Sequence, residues 1–313
     1  MGGLLFLDTC GILYIRNLLL HGENMRKFTA IFILLCTLPS LLAGCSESQP
    51  EIVATTLPVY EFTTLICAGT GLSVGQLVTE SVSCLHDYTL KVSQMRMVEA
   101  ADVIICNGAG LEDFLDDTLT SVGNIIDSSQ NCHVHNGEDH SHEHAHNHEA
   151  DPHIWLSPAN AKIMASNICT GLTDIYPQYT EIFAKNLSTL TTKLDVLQAY
   201  GEGTLHELSC RELITFHDGF AYFAESFDLT VLEAVEEESG SEASAKELKH
   251  LITIAMEHQL PAVFVEENGS VSAADVICAE TGTQAYKLDM AMADRSYFEA
   301  MYHNIDTIKE ALG

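Results

Sequence analysis

Val103-Ile104-Ile105-Cys106 is an unbroken apolar tetrad, closed off by Asn107-Gly108-Ala109-Gly110. A run of this kind reads as a strand buried on both faces. Such a strand needs helices above and below it, which points to an α/β fold with a parallel sheet. The same alternation recurs along the chain. Strands are expected at residues 52–57, 74–79 and 125–126, and helices at 60–67, 92–101 and 111–119. After residue 209 the pattern repeats. Strands are expected at 212–216, 230–235, 261–265 and 285–288, with helices at 221–227, 273–280 and 296–312. Ser244 with Glu247 forms a capping box. It opens a helix whose apolar positions, Ala245, Leu248, Leu251, Ile252 and Ala255, share one face.

Between the two series lies Ser157-Pro158, a strong helix start, because serine caps and proline takes the first helical position. That helix should run to about residue 176. Residues 178–208 then form a long helical stretch interrupted only by Gly201 and Gly203. The expected architecture is α/β with two lobes, each a four-stranded, mostly parallel sheet flanked by helices, joined by a long rigid backbone helix. The expected domains are an extension and signal at 1–44, an N-terminal lobe at 45–175, a linking helix at 176–208 and a C-terminal lobe at 209–313.

The N-terminus carries an address. Met25-Arg26-Lys27 is a basic start, and residues 28–38 are apolar but too short to span a membrane. Leu42-Ala43-Gly44-Cys45 then resembles a bacterial lipoprotein signal, with Cys45 as the lipidated residue. The complete signal begins at Met25, which suggests that translation starts there. An extracytoplasmic, membrane-anchored protein is expected, at the cell surface or in a periplasm. The formal charge of −30 argues against nucleic acid and anionic membrane surfaces as partners. Seven cysteines follow Cys45, none in a CxxC pair, so no cysteine-based zinc module is indicated. Most have apolar neighbours and read as buried thiols. Cys84 and Cys132 lie near histidines.

The most conspicuous stretch is residues 132–150. It holds His133, His135, His140, His142, His144, His146 and His148, the last five in strict alternation. It cannot build a core, but it offers many imidazole nitrogens suited to zinc and neighbouring metals. Single candidates lie elsewhere. In open α/β sheets ligands bind at the carboxyl ends of strands. His86, His217 and Asp289 each follow an expected strand end, and His153 lies between the lobes. Three imidazoles and a carboxylate suit Zn²⁺.

The contexts of these residues are specific. Asp151-Pro152-His153-Ile154-Trp155-Leu156-Ser157-Pro158 resembles an element of the metal-specific solute-binding proteins of bacterial ABC importers. Leu85-His86-Asp87-Tyr88, Asn107-Gly108-Ala109-Gly110-Leu111-Glu112 and Phe216-His217-Asp218-Gly219-Phe220-Ala221-Tyr222-Phe223 resemble three more. Phe264-Val265-Glu266, Ala279-Glu280-Thr281-Gly282 and Leu288-Asp289 match the end of the pattern. The resemblance spans nearly the whole mature chain. It implies two α/β lobes, a rigid backbone helix and one metal held by His86, His153, His217 and Asp289. It departs from the family at Leu85 and Met290, where proline is usual. The acidic triplet Glu236-Glu237-Glu238 has no assigned role.

The resemblance implies capture of Zn²⁺ and delivery to an ABC permease with its ATPase, by a monomer without enzymatic activity. His217 at the third position favours zinc, with manganese or iron left open. The histidine-rich tract reads either as an accessory set that captures or buffers zinc, or as a dispensable loop. Two other classes compete. A secreted zinc hydrolase would need an open coordination position and a base, and no HExxH is present. A metal-buffering adhesin would need only the lipid anchor, and cell adhesion belongs to that reading.

Overall fold

The computed structural model describes residues 49–80, 85, 88–119, 123–135, 150–235, 244–292 and 295–313. The signal with Cys45, His86, Cys84, the five alternating histidines 140–148 and the triplet 236–238 lie outside the described residues.

Strands β1 (Ile52–Ala54), β2 (Val74–Gln76), β3 (Val103–Cys106) and β4 (Ile125–Asp127) form a parallel sheet in the order β2-β1-β3-β4. Strands β5 (Glu212–Thr215), β6 (Thr230–Ala234), β7 (Ala262–Glu266) and β8 (Gln284–Leu288) form a second parallel sheet in the order β6-β5-β7-β8. The two sheets thus share one topology. In each, the chain runs from its first strand to one neighbour, then crosses to the other side. The strand order therefore reverses between β1 and β3 and again between β5 and β7, where the carboxyl ends leave room for a ligand. Every residue of β3 and β7 is buried, whereas the edge strand β6 is only half-buried and β8 is mostly exposed.

The described helices are α1 (Leu57–Cys67), α2 (Val92–Ala100), the single turn α3 (Asp116–Leu119), α4 (Pro158–Ile175), α5 (Thr180–Leu205), α6 (Ala221–Ser226), α7 (Ala245–Glu257), α8 (Ser272–Thr281) and α9 (Tyr297–Leu312). Local signals set several starts. Ser157 accepts the Asn160 N–H at the head of α4. Ser244 with Glu247, and Ser296 with Glu299, close capping boxes on α7 and α9.

Helix α5 has 26 residues, a length of about 39 Å at 1.5 Å per residue. It packs against α1, α4 and α9 and buries Phe183, Leu190, Leu194, Leu197 and Leu205. These side chains join Ile52, Val103 and Ile105 of the first sheet to Leu213 and Phe264 of the second in one continuous core. The link between the sheets is therefore a packed apolar layer rather than a tether.

Two local expectations are corrected. The strand expected at 52–57 ends at Ala54, because Thr56 becomes the cap of α1 and Pro58 stands in its first turn. The helix expected at 111–119 is instead a 3₁₀ turn, Asp113–Leu115, followed by α3. The Glu112 carboxylate folds back and accepts hydrogen bonds from the Asn107 and Gly108 N–H groups and the Thr55 hydroxyl, at 2.7, 2.9 and 2.6 Å. Those bonds tie the ends of β1 and β3 together and draw the chain out of a regular helix.

Burial pushes the Glu112 carboxyl up from the ordinary 4.5 to about 7, against the opposing pull of those three hydrogen bonds. A raised folded-state pKa means that the folded chain holds this proton more tightly than the unfolded chain. The Glu112 contribution to stability is thus lost as pH rises from about 4.5 through about 7. Unfolding by urea at pH 5 and pH 8 should show Glu112→Gln gaining on the natural protein by about 3 kcal/mol across that window.

Gly201 makes a second prediction. A Cβ there would lie 2.1 Å from Cε1 of Phe227, a buried ring just after α6. Alanine ordinarily stabilises a helix interior by up to about 1 kcal/mol over glycine. Here Gly201→Ala should instead destabilise by about 1–3 kcal/mol, the usual cost of overpacking, read as a lower urea midpoint.

Candidate metal centre

The loop that leaves β5 carries His217, and its carbonyl accepts the Thr215 hydroxyl at 3.1 Å. The last residue of the neighbouring strand β7 is Glu266, which is buried. Its Oε1 lies 3.3 Å from His217 Nδ1. The contact is an ion-pair approach, and because a carboxylate can only accept, it favours the ring form that carries its proton on Nδ1.

His153 is held by hydrogen bonds to a residue near in sequence. Asp151 Oδ1 accepts from both the His153 backbone N–H and Nδ1, at 2.9 and 2.7 Å. The peptide around it is anchored from both halves of the chain. Asn107, just past β3, donates its side-chain amide to the Pro152 carbonyl at 3.0 Å. The Tyr222 hydroxyl, on α6, donates to the Asp151 carbonyl at 2.7 Å. Trp155 follows in a 3₁₀ turn, fully buried, with its ring beside that of His153.

The two Nε2 atoms face each other at 3.1 Å, within hydrogen-bond distance, with donor and acceptor set by the ring tautomers. Two donor atoms of a tetrahedral zinc, each about 2.0–2.1 Å from the metal, stand ~3.3 Å apart. The observed pair is within a few tenths of an ångström of that edge. Gly219 makes the approach possible. A Cβ on it would lie 2.9 Å from His217 Cδ2, 3.0 Å from His153 Cγ and 2.7 Å from Met290 Cε. No side chain fits there without pushing a ring aside.

Asp289 follows β8 and is buried. Asn304, on α9, holds its backbone from both sides, accepting its N–H and donating to its carbonyl at 2.8 and 2.7 Å. Its neighbour Met290 packs at Gly219 beside both imidazoles and accepts the Trp155 indole N–H at 2.7 Å. Asp289 therefore reaches the same place, but its carboxylate is turned elsewhere. Oδ1 accepts from the Ala291 N–H at 2.8 Å, and Oδ2 pairs with Arg295 at 2.9 Å. That pair raises the guanidinium pKa, with Glu267 adding to it. Among the described residues, His153, His217 and Asp289 do not form a set whose ligand atoms all lie within 4.8 Å of one another. The two histidines meet, and the aspartate waits behind its arginine.

The fourth candidate, His86, lies outside the described residues; Leu85 before it is buried in the first half's core. Cys132, the described cysteine near histidines, faces the carbonyls of Ser128 and Asn160 at 3.9 Å. Burial pushes its thiol up to about 12, so it stays protonated and is a poor ligand. The described cysteines, Cys67, Cys106, Cys132, Cys169, Cys210 and Cys278, are all unpaired by disulfides. Among the described residues no helix is long and apolar enough to cross a membrane.

Three residues of the centre carried no role in the sequence reading: Asp151, Glu266 and Arg295. Asp151 and Glu266 sit inside motifs that were legible. Their pairing with ring nitrogens is a property of the folded loops. Arg295 left no signal.

Comparison with known proteins agrees with this architecture. Residues 52–311 match the family described as zinc-uptake complex component A, periplasmic. The high-affinity zinc uptake system protein ZnuA of Bacillus subtilis (strain 168) is 28% identical over 317 residues, 92% of this chain and 98% of that protein. A crystal structure of ZnuA superposes with a TM-score of 0.74 at 29% identity, covering 84% of this chain and all of that one. A zinc-bound ZnuA deletion mutant gives a TM-score of 0.71 at 28% identity, covering 84% of this chain and 97% of that one. With the match running from the first residue of β1 almost to the end of α9, the chain belongs to the zinc-uptake complex component A family.

Proposed function

We propose that this protein captures Zn²⁺ outside the cytoplasm and delivers it to the permease of an ABC importer, driven by that importer's ATPase. The observation that carries the reading is the His153–His217 pair. Each ring has a carboxylate beside its Nδ1, at 2.7 Å for His153 and 3.3 Å for His217, and the two Nε2 atoms face at 3.1 Å. At that distance the pair is a hydrogen bond when one Nε2 carries a proton, and two ready ligand atoms for one cation when neither does. His86 and Asp289 complete the proposed ligand set. The names of the relatives, which are zinc uptake proteins, support the same cargo. The family is one of uptake components, not of enzymes.

Imidazole donors favour zinc over manganese, which prefers a harder, oxygen-rich set. Capture would proceed through the two pre-set histidines, followed by the Asp289 carboxylate as it leaves Arg295. Release would reverse that exchange, with the guanidinium taking the carboxylate back. The chain would act as a monomer, anchored at the membrane through a lipid on Cys45. The tract at His140, His142, His144, His146 and His148 would serve as an accessory zinc-capturing segment.

The carboxylates behind the rings offer a sharp test. Zinc titration followed by calorimetry should show one tight cleft site in the natural protein, lost in His217→Ala. Asp151→Asn and Glu266→Gln should each weaken it about 10–100-fold, since partners of this kind orient the ring and raise its basicity. Unchanged affinity in both would remove the proposed centre.

Arg295→Gln should act in the opposite direction. It removes the competitor for Asp289 and should tighten zinc about tenfold while slowing its release to a chelator, on the scale of one partly exposed ion pair. Weaker binding in this variant would mean that Arg295 helps to hold the loop rather than to expel the metal.

A further inference from the structure

His133, His135 and Glu225 meet at the neck of the histidine-rich tract, away from the His153–His217 pair. Their ligand atoms lie within 4.8 Å of one another. Glu225 is on α6, so the cluster bridges the second half of the chain to the segment that follows β4. One carboxylate oxygen, Glu225 Oε2, lies 3.5 Å from His133 Nε2 and 3.1 Å from His135 Nε2. Both spacings fall near the ~3.3 Å edge of a zinc tetrahedron. The His135 Nε2 atom is shielded from solvent yet makes no hydrogen bond, despite its closeness to the carboxylate. An ordinary surface His–Glu pair would align the N–H with the oxygen or turn the nitrogen to water.

The backbone beneath these rings is fixed. Asn160, buried at the start of α4, accepts the His133 N–H at 2.9 Å and donates to the His133 carbonyl at 2.8 Å. The buried Tyr222 accepts the His135 N–H at 3.0 Å, and its ring lies against the imidazole. The His135 carbonyl accepts the Asp151 N–H at 3.0 Å. The neck is thus closed before any cation arrives. An imidazole, a second imidazole and a carboxylate, with further positions open, make a donor set of the zinc class.

We infer that His133, His135 and Glu225 form a second divalent-cation site, of the zinc class, that latches the neck of the tract to α6. It is separate from the cleft and does not depend on the cleft reading. It does share a path with the cleft, because Asp151 both closes the neck through its N–H and orients His153 through its carboxylate.

The test uses zinc alone and the full chain carrying His140→Asn, His142→Asn, His144→Asn, His146→Asn and His148→Asn. These changes remove competing imidazoles from the tract. Calorimetry with elemental analysis should give two zinc ions per chain. Adding His133→Ala and Glu225→Gln, both exposed positions, should reduce the count to one. Adding His217→Ala instead should also leave one, now at the neck. Neck substitutions that leave the background's zinc count unchanged, whether that count is one or two, would overturn the neck site. Loss at the neck variants with no loss at His217→Ala would keep the neck site and sink the cleft reading.

Discussion

Two carboxylates decide what the centre can do. Asp151 bonds the Nδ1 of His153 and Glu266 stands 3.3 Å from the Nδ1 of His217, so each favours the ring orientation that turns Nε2 inward. The result is an enforced encounter of two Nε2 atoms at 3.1 Å, in surroundings with little room to turn away. Gly219 forms the floor beneath both rings, and Trp155 lies against one of them. One neutral ring can donate to the other across this gap, and a metal ion there would take the place of that shared proton.

The fold explains why that encounter is possible at all. One histidine comes from the end of β5, and its carboxylate from the end of β7, at the point where the second sheet reverses its strand order. The other histidine and its carboxylate come from the segment between the two sheets. That segment is gripped from the first half by Asn107 and from the second by Tyr222 and the Met290 carbonyl. Helix α5 and the continuous apolar core beneath it bind the two halves into one body. Such a core is bistable at best rather than freely deformable, so a wide opening between halves would expose packed side chains. Movement on metal exchange is more economically placed in the loops at the strand ends.

Much of this was legible in the sequence, and the exceptions share a cause. Strand β3 was readable to the residue, because four apolar positions between a charged residue and a glycine-rich break permit little else. Ser157-Pro158 marked the start of α4, and Ser244 with Glu247 marked α7, because caps act over three or four residues. The long helix was expected at 178–208 and stands at Thr180–Leu205. Gly201, which looked like a weak point in it, is where Phe227 packs. Residues 111–119 looked helical because their apolar positions allow it. The competing bonds of Glu112 come from Thr55, far away in sequence, and no local pattern announces them. The candidate ligands were found from motifs. What orients them was not, since the meeting of Glu266 with His217, and of Arg295 with Asp289, exists only once strands and loops are assembled.

The candidate ligands are held in unequal ways, and the inequality suits a carrier better than a store. His153 is held by two short bonds to Asp151, and His217 stands between the Glu266 carboxylate and His153. The Asp289 backbone is equally fixed, by Asn304 on both sides, but its carboxylate is paired with a mobile partner type, a long cationic side chain one-third exposed to solvent. A buried carboxylate left without a partner would cost several kcal/mol, so some cation must attend it in every state. Arg295 fills that role in this structure, and under the proposed ligand set it would compete with metal for the carboxylate. A centre built only from locked ligands would bind more firmly and let go more slowly. Under the proposed ligand set, exchange of the Asp289 carboxylate between Arg295 and a metal would allow both binding and release within a rigid core.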